Sequence, residues 1–246
     1  MLIEIAEVPF EVRCRFADNR SFFRDYQTEK APLFVIEATD EDLEKMELEA
    51  RLLAQRRGWP ERSYGKDVLE SYAVLLKLAK KMVFQNILMI HGSALCMDGN
   101  AYIFTASSGT GKSTHARLWR ETFGDRVWMI NDDQPMVRIG NDQVTVYGTP
   151  WDGKHHLSRN ASAPLKAIAW LRRSKNDCIQ PLTKAEAFPA LLNQTVWSRG
   201  DPETMSKVLE LEAKLLSAVP FYRLGCTMNS NAARASWAGM NMDNSR

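Results

Sequence analysis

One segment restricts this chain more than any other. Ala106-Ser107-Ser108-Gly109-Thr110-Gly111-Lys112-Ser113 lies between an apolar, β-favouring run, Tyr102–Thr105, and a segment of helical character, Lys112–Glu121. This is the Walker A pattern, with Ala where the first Gly usually stands. A loop that wraps phosphates must turn successive backbone N–H groups inward, which favours Gly109 and Gly111 where the chain bends sharply or approaches closely. The helix that follows adds its positive dipole end and free N–H groups. Ser107, Ser108, Gly109, Thr110, Gly111, Lys112, Ser113 and Thr114 are therefore the candidate nucleotide-binding residues. Lys112 is placed for the β- and γ-phosphates and the Ser113 hydroxyl for Mg2+. A strand–loop–helix unit of this kind implies an α/β protein.

Twenty residues past Lys112, the apolar run Val127-Trp128-Met129-Ile130 ends in Asn131-Asp132-Asp133. Ligands in open α/β sheets bind beyond the carboxyl ends of strands, so both acids stand where a ligand is expected. One carboxylate can hold magnesium and the other can accept a proton from an attacking hydroxyl. Simple nucleotide hydrolysis needs only the first role, so paired acids fit transfer to an alcohol better. A turn-capping role for both is the structural alternative.

Three further features are less specific. His91 opens the turn in Ile90-His91-Gly92-Ser93, where a lone His is either a hydrogen-bonded structural residue or a site residue. His115 lies on the helix after the loop and suits packing or solvent exposure. The turn Pro150-Trp151-Asp152-Gly153-Lys154 either brings Lys154 to the transferred phosphoryl group or is an ordinary Pro/Gly turn. His155-His156 behind it are weak evidence for a metal, lacking cysteines or acids in register.

The alternating stretch Val8–Phe16 reads as a half-buried strand, and Thr39 with Asp42 as a capping box opening a helix that ends near Gly58–Pro60. A helix over Val68–Val83 follows. From Ile87 onward short β-rich runs alternate with turns, then helices are expected over Lys184–Trp197 and Pro202–Ala218, and a strand over Phe221–Leu224. The expected division is an N-terminal α+β lobe over 1–85, for substrate or partner recognition, and a nucleotide-binding core over 86–246 with a frayed tail from Gly239.

A formal net charge of +2 over 246 residues is too small to argue for nucleic acid or membrane binding. Cys14, Cys96, Cys178 and Cys226 are widely spaced, as in reduced thiols of a cytosolic protein. The N-terminal segment lacks the features of a signal peptide, and no apolar run approaches the roughly 18 residues of a bilayer span. A cytoplasmic location is expected. No Asn-Lys-x-Asp guanine-reading segment is found, which argues against a regulatory GTPase and leaves the adenine preference open.

His91-Gly92, a strand pair, Ser107–Thr114 and a strand ending in Asp132-Asp133 occur in an order that resembles the HPr kinase/phosphorylase-like group, whose P-loop core is shared with phosphoenolpyruvate carboxykinase. The resemblance covers roughly residues 86–225. Pro150–Lys154 and Pro164–Leu171 are similar to smaller members, including kinases tied to peptide modification. It implies a P-loop core with a mixed β-sheet and flanking helices, and Lys112 and Ser113 serving phosphate and magnesium. It also implies Asp133 as general base, Asp132 as metal or orienting group, and a site role for His91. The activity implied is an ATP- and Mg2+-dependent kinase acting on a hydroxyl of a protein, peptide or small molecule. The chain departs from true HPr kinases in lacking their glycine-rich segment downstream of the acidic pair, and its N-terminal lobe shows no match. The HPr substrate, the phosphorylase activity and the hexamer are therefore not carried over, and the oligomeric state is left open. A second reading, from another class, is a nucleotide-dependent switch or assembly protein that binds or slowly hydrolyses ATP without an acceptor.

Overall fold

Runs such as Ile87–Ile90 and Ala94–Met97 carry no polar residue and need cover on both faces; both are buried throughout. A computed structural model describes residues 1–197 and 200–242. Its chain divides into two units, Met1–Lys81 and Met82–Arg246.

The first unit pairs β1 (Leu2–Ile5) antiparallel to β2 (Val8–Arg13) across a two-residue turn, Ala6-Glu7, with positive φ at both residues. After α1 (Ala17–Phe22), β3 (Val35–Glu37) joins β2 in parallel. Helices α2 (Asp40–Arg57) and α3 (Lys66–Val83) follow, α2 with the expected Thr39–Asp42 capping box. The alternation that predicts a strand as far as Phe16 stops at Arg13. The buried Glu70 carboxylate takes the Arg15 N–H at 2.7 Å and the Asn19 amide at 2.6 Å, which turns the chain out of the strand.

The second unit is a large mixed sheet with flanking helices. Its elements are β4 (Ile87–Ile90), β5 (Gly92–Met97), β6 (Asn100–Thr105), α4 (Lys112–Phe123), β7 (Val127–Asn131), β8 (Met136–Ile139), β9 (Val144–Tyr147), β10 (Ser162–Arg173), β11 (Cys178–Pro181), α5 (Lys184–Leu192), β12 (Thr195–Val196), α6 (Pro202–Ala218), β13 (Phe221–Cys226) and α7 (Ser230–Asn241). The strand order runs β12-β4-β8-β9-β10-β6-β5-β7, with β13 on β10 and β11 on β13. The long β10 changes neighbours along its length. Ser162–Pro164 pair antiparallel with β9, while residues from Leu165 onward run parallel to β6 and those from Ile168 parallel to β13.

Strand alternation sorts the core. Ile103 and Ile168 face a cluster with Leu191, Val208, Leu211 and Leu215 of α5 and α6. Tyr102, Phe104, Ala167 and Ala169 face the other side, with Ala116 and Trp119 of α4 and Ala233 and Met240 of α7. The helix expected to reach Trp197 stops at Leu192. The Asn193 side chain bonds back to the Pro189 carbonyl at 2.8 Å, and Thr195-Val196 leave to pair with Ile90 and Met89. The tail expected to fray from Gly239 is helical through Asn241, because Ala232, Ala233, Ser236 and Met240 of α7 are buried; Asp243–Arg246 lie outside the described residues. Among the described residues no helix is long and apolar enough to cross a membrane.

Candidate functional site

β6 and β10 run parallel, with Thr105 paired to Trp170, so both point their carboxyl ends at the same edge. The candidate phosphate loop, Ala106–Gly111, leaves β6 there. Gly109 (φ +77°) and Gly111 (φ +121°) adopt backbone that side-chain-bearing residues rarely take. Gly111 ends the loop as N-cap of α4 with no side-chain cap bond and no acid in the first turn, so the helix's leading N–H groups stay open to an anion. Lys112 is buried and its Nζ donates to the Ala106 carbonyl at 3.1 Å. Ser107, Ser108, Gly109 and Ser113 are exposed, and Thr110 and Thr114 half-buried.

The acidic pair approaches from β7, two strands from β6 through β5. Asn131, fully buried, sets its geometry. Asn131 Oδ1 accepts the N–H groups of Asp133 (2.9 Å) and Gln134 (2.7 Å), while Nδ2 donates to the Thr149 and Trp151 carbonyls at 3.0 and 3.2 Å. One amide thus clamps the Asp132–Gln134 turn to Thr149–Trp151. Asn131→Ala strands these buried groups together and is expected to cost about 3 kcal/mol of stability, read as a lower midpoint in urea unfolding; an unchanged midpoint would remove the clamp from the account.

Asp132 and Asp133 are held differently. Asp132 Oδ1 accepts the Ser93 hydroxyl at 2.7 Å. Its Oδ2 lies 2.9 Å from where a Cβ would stand on Gly153, so a side chain there would have to displace the carboxylate. Asp133 is one-third exposed and its Oδ1 is 3.5 Å from His91 Nε2. The His91 backbone N–H donates to the Gln194 carbonyl (2.8 Å), the Gly92 N–H to the Asp133 carbonyl (2.9 Å), and the Thr105 hydroxyl to the His91 carbonyl (2.8 Å). The start of β5, the end of β6 and the acidic turn are thereby tied into one framework.

Charge links these groups. Burial raises the Asp133 carboxyl to about 6, against the pull of the Lys112 ammonium, with Asp132 and Asp152 adding to the rise. Burial holds Lys112 below its ordinary value, opposed by Asp133 and Asp132. His91 is pushed down to about 4 by burial and then by Lys112, against a hydrogen bond with the Gln194 side chain. The imidazole is therefore neutral near pH 7, and its approach to Asp133 is a polar contact rather than an ion pair. Sequence reasoning missed Asn131, Ser93, Gln194 and Asp152; only the adjacency of Asn131 to the acid pair was a signal.

The other candidates separate. Lys154 is exposed, and its turn reaches the acids through Asp152 and Gly153. His155 and His156 are exposed, His156 Nδ1 lying 3.1 Å from Asp152 Oδ1. Among the described residues no three His, Cys, Asp or Glu side chains form a metal-holding group. His115 is buried between Phe104 (ring centroids 4.6 Å apart) and Ser236 Oγ (3.0 Å), which makes it a packing residue.

No curated protein matches this sequence. Among solved structures, the Hpr(Ser) kinase/phosphatase from Coxiella burnetii is similar at a TM-score of 0.36 and 11% identity, over 63% of this chain and 99% of that one. The family model described as "SynChlorMet cassette protein ScmC" matches residues 61–235, which include the loop, the acidic pair and His91. That match spans well over half of the chain, and the protein belongs to the ScmC family.

Proposed function

We propose that this protein is an ATP- and Mg2+-dependent kinase that transfers the γ-phosphoryl group to a hydroxyl. The observation that carries the reading is the juxtaposition of Asp133 with His91 at 3.5 Å, both within the field of the phosphate-loop lysine. A carboxylate that titrates at about 6 is ionised at neutral pH and more basic than an ordinary aspartate. Asp133 takes the proton of the acceptor hydroxyl as its oxygen closes on the terminal phosphorus. Neutral His91 orients the carboxylate and the incoming hydroxyl. Lys112 and the loop N–H groups hold the phosphates and meet the charge that builds on the leaving oxygen.

The Ser113 hydroxyl and the Asp132 carboxylate are hard oxygen donors, and one Asp132 oxygen is already fixed by Ser93; both fit a magnesium site completed by waters and phosphate oxygens. Bound there, the ion would neutralise phosphate charge. Asp133 is the better base because Asp132 is buried under Gly153 and committed to Ser93.

Incubation of the protein with γ-labelled ATP and cell extract tests the reading. A labelled protein, peptide or small alcohol is expected; release of phosphate without a labelled acceptor would leave a nucleotide-dependent switch instead. A pH profile tests the base. Because Asp133 works ionised, the rate should rise tenfold per pH unit towards about pH 6 and level off above it. His91→Gln should keep that limb, since His91 is already neutral there; loss of the limb in that variant would move the titration to the imidazole.

A further inference from the structure

β10 continues three residues beyond the end of β6. Its pairing with β6 ends at Trp170–Thr105, while its pairing with β13 runs on to Arg173–Cys226. The N–H groups of Ile168 and Ser174 bond towards β13, so the odd-numbered residues between them turn their backbone polar groups to the other side. Past Thr105 that side holds the phosphate loop instead of a strand. The Leu171 carbonyl and the Arg173 N–H therefore lie on a ladder edge facing the loop.

An open cleft of about 460 Å³ occupies this position, lined by Ser107–Thr110 and by Trp170–Arg173. Its size is that of a small-molecule site. Two features give it chemistry. The exposed Arg172 guanidinium lies over the Trp170 ring, 4.5 Å from the centroid, and forms a flat cationic platform. Arg173 reaches across and donates to the Gly109 carbonyl at 2.6 Å, fixing the loop against the strand end. A ligand suited to this space has a planar aromatic part for the platform, edge donors and acceptors for the backbone, and phosphates for the adjoining loop.

We propose that the cleft between the phosphate loop and the end of β10 is the nucleoside subsite, with the base stacked on Arg172 and Trp170 and Arg173 holding the loop beside it. This deepens the kinase reading and rests on it, because the phosphates must lie in the loop for the base to reach the platform. Arg172 serves through its planar face; charge alone does not replace it.

Calorimetric titration of the full chain with ATP and, separately, with inorganic tripolyphosphate, each with Mg2+, tests the assignment. Arg172→Ala should weaken ATP at least tenfold and leave tripolyphosphate within twofold. Arg172→Lys should behave like the alanine variant. Unchanged ATP affinity in Arg172→Ala, an equal loss for both ligands, or full recovery in Arg172→Lys overturns the subsite. Arg172 is exposed, so loss of fold does not confuse these outcomes. Wild-type protein that binds neither ligand fails the nucleotide reading itself, a result seen before any variant is made.

Discussion

Asp133→Asn is expected to lower phosphoryl transfer by about a thousandfold, within the range of removing a general base, while ATP affinity changes less than about threefold. Asparagine keeps the shape and the polar approach of His91, but it takes no proton. The variant should also be more stable near neutral pH. The folded carboxyl titrates at about 6, above the ordinary aspartate range, so the fold bears the cost of ionising it progressively from that range up to about pH 6 and in full above it. For a carboxylate one-third exposed, screening reduces that cost to about 1 kcal/mol. Denaturant melts at pH 4 and pH 8 check the sign: the gain belongs at pH 8 only. Transfer at the wild-type rate would sink the base assignment.

Lys112→Ala is expected to weaken ATP by a hundredfold or more. The ammonium is buried behind the loop and tethered to the Ala106 carbonyl at 3.1 Å, so its contacts to phosphate would be charge-assisted and shielded from water. Its field also acts on the acids. Without it, Asp133 loses the cation that opposes the rise caused by burial, and its titration should move above 6. Two measurements read these effects separately: a calorimetric isotherm for the nucleotide, and carboxyl carbon shifts followed with pH for Asp133. Wild-type affinity together with an unmoved titration would remove Lys112 from the site.

The loop Ala106–Ser113 and the acidic pair stand out in the sequence because each is contiguous and carries the residue types that phosphate and metal binding would need. The flanking strands were legible for the same local reason, as uninterrupted apolar runs. Asn131 was not, since its effect comes from bonds to residues about twenty positions ahead, made only when Thr149–Trp151 fold over the turn. Thr195-Val196 reads as helix by local pattern and becomes a strand only because Ile90 and Met89 offer it an edge. The apolar stripe of α7 is made largely of alanine, so it gives little periodic signal, yet it covers the face of α4 that Trp119 fills. Arg172 and Arg173 look like ordinary surface charge until β10 is found to outrun β6.

The bond network of His115 and Trp119 with Ser236 has a consequence for synthesis. Ser236 follows His115 by 121 residues, and Trp119 donates to the same hydroxyl at 2.8 Å. On a translating ribosome that interval takes on the order of ten seconds. Until residues near 236 emerge, the Trp119 side of α4 lacks its lid, although β10 has by then already given β6 its parallel neighbour. The nascent chain therefore presents the apolar face around Trp119 during that delay, the kind of surface chaperones capture, and this side of the core closes only near the end of translation.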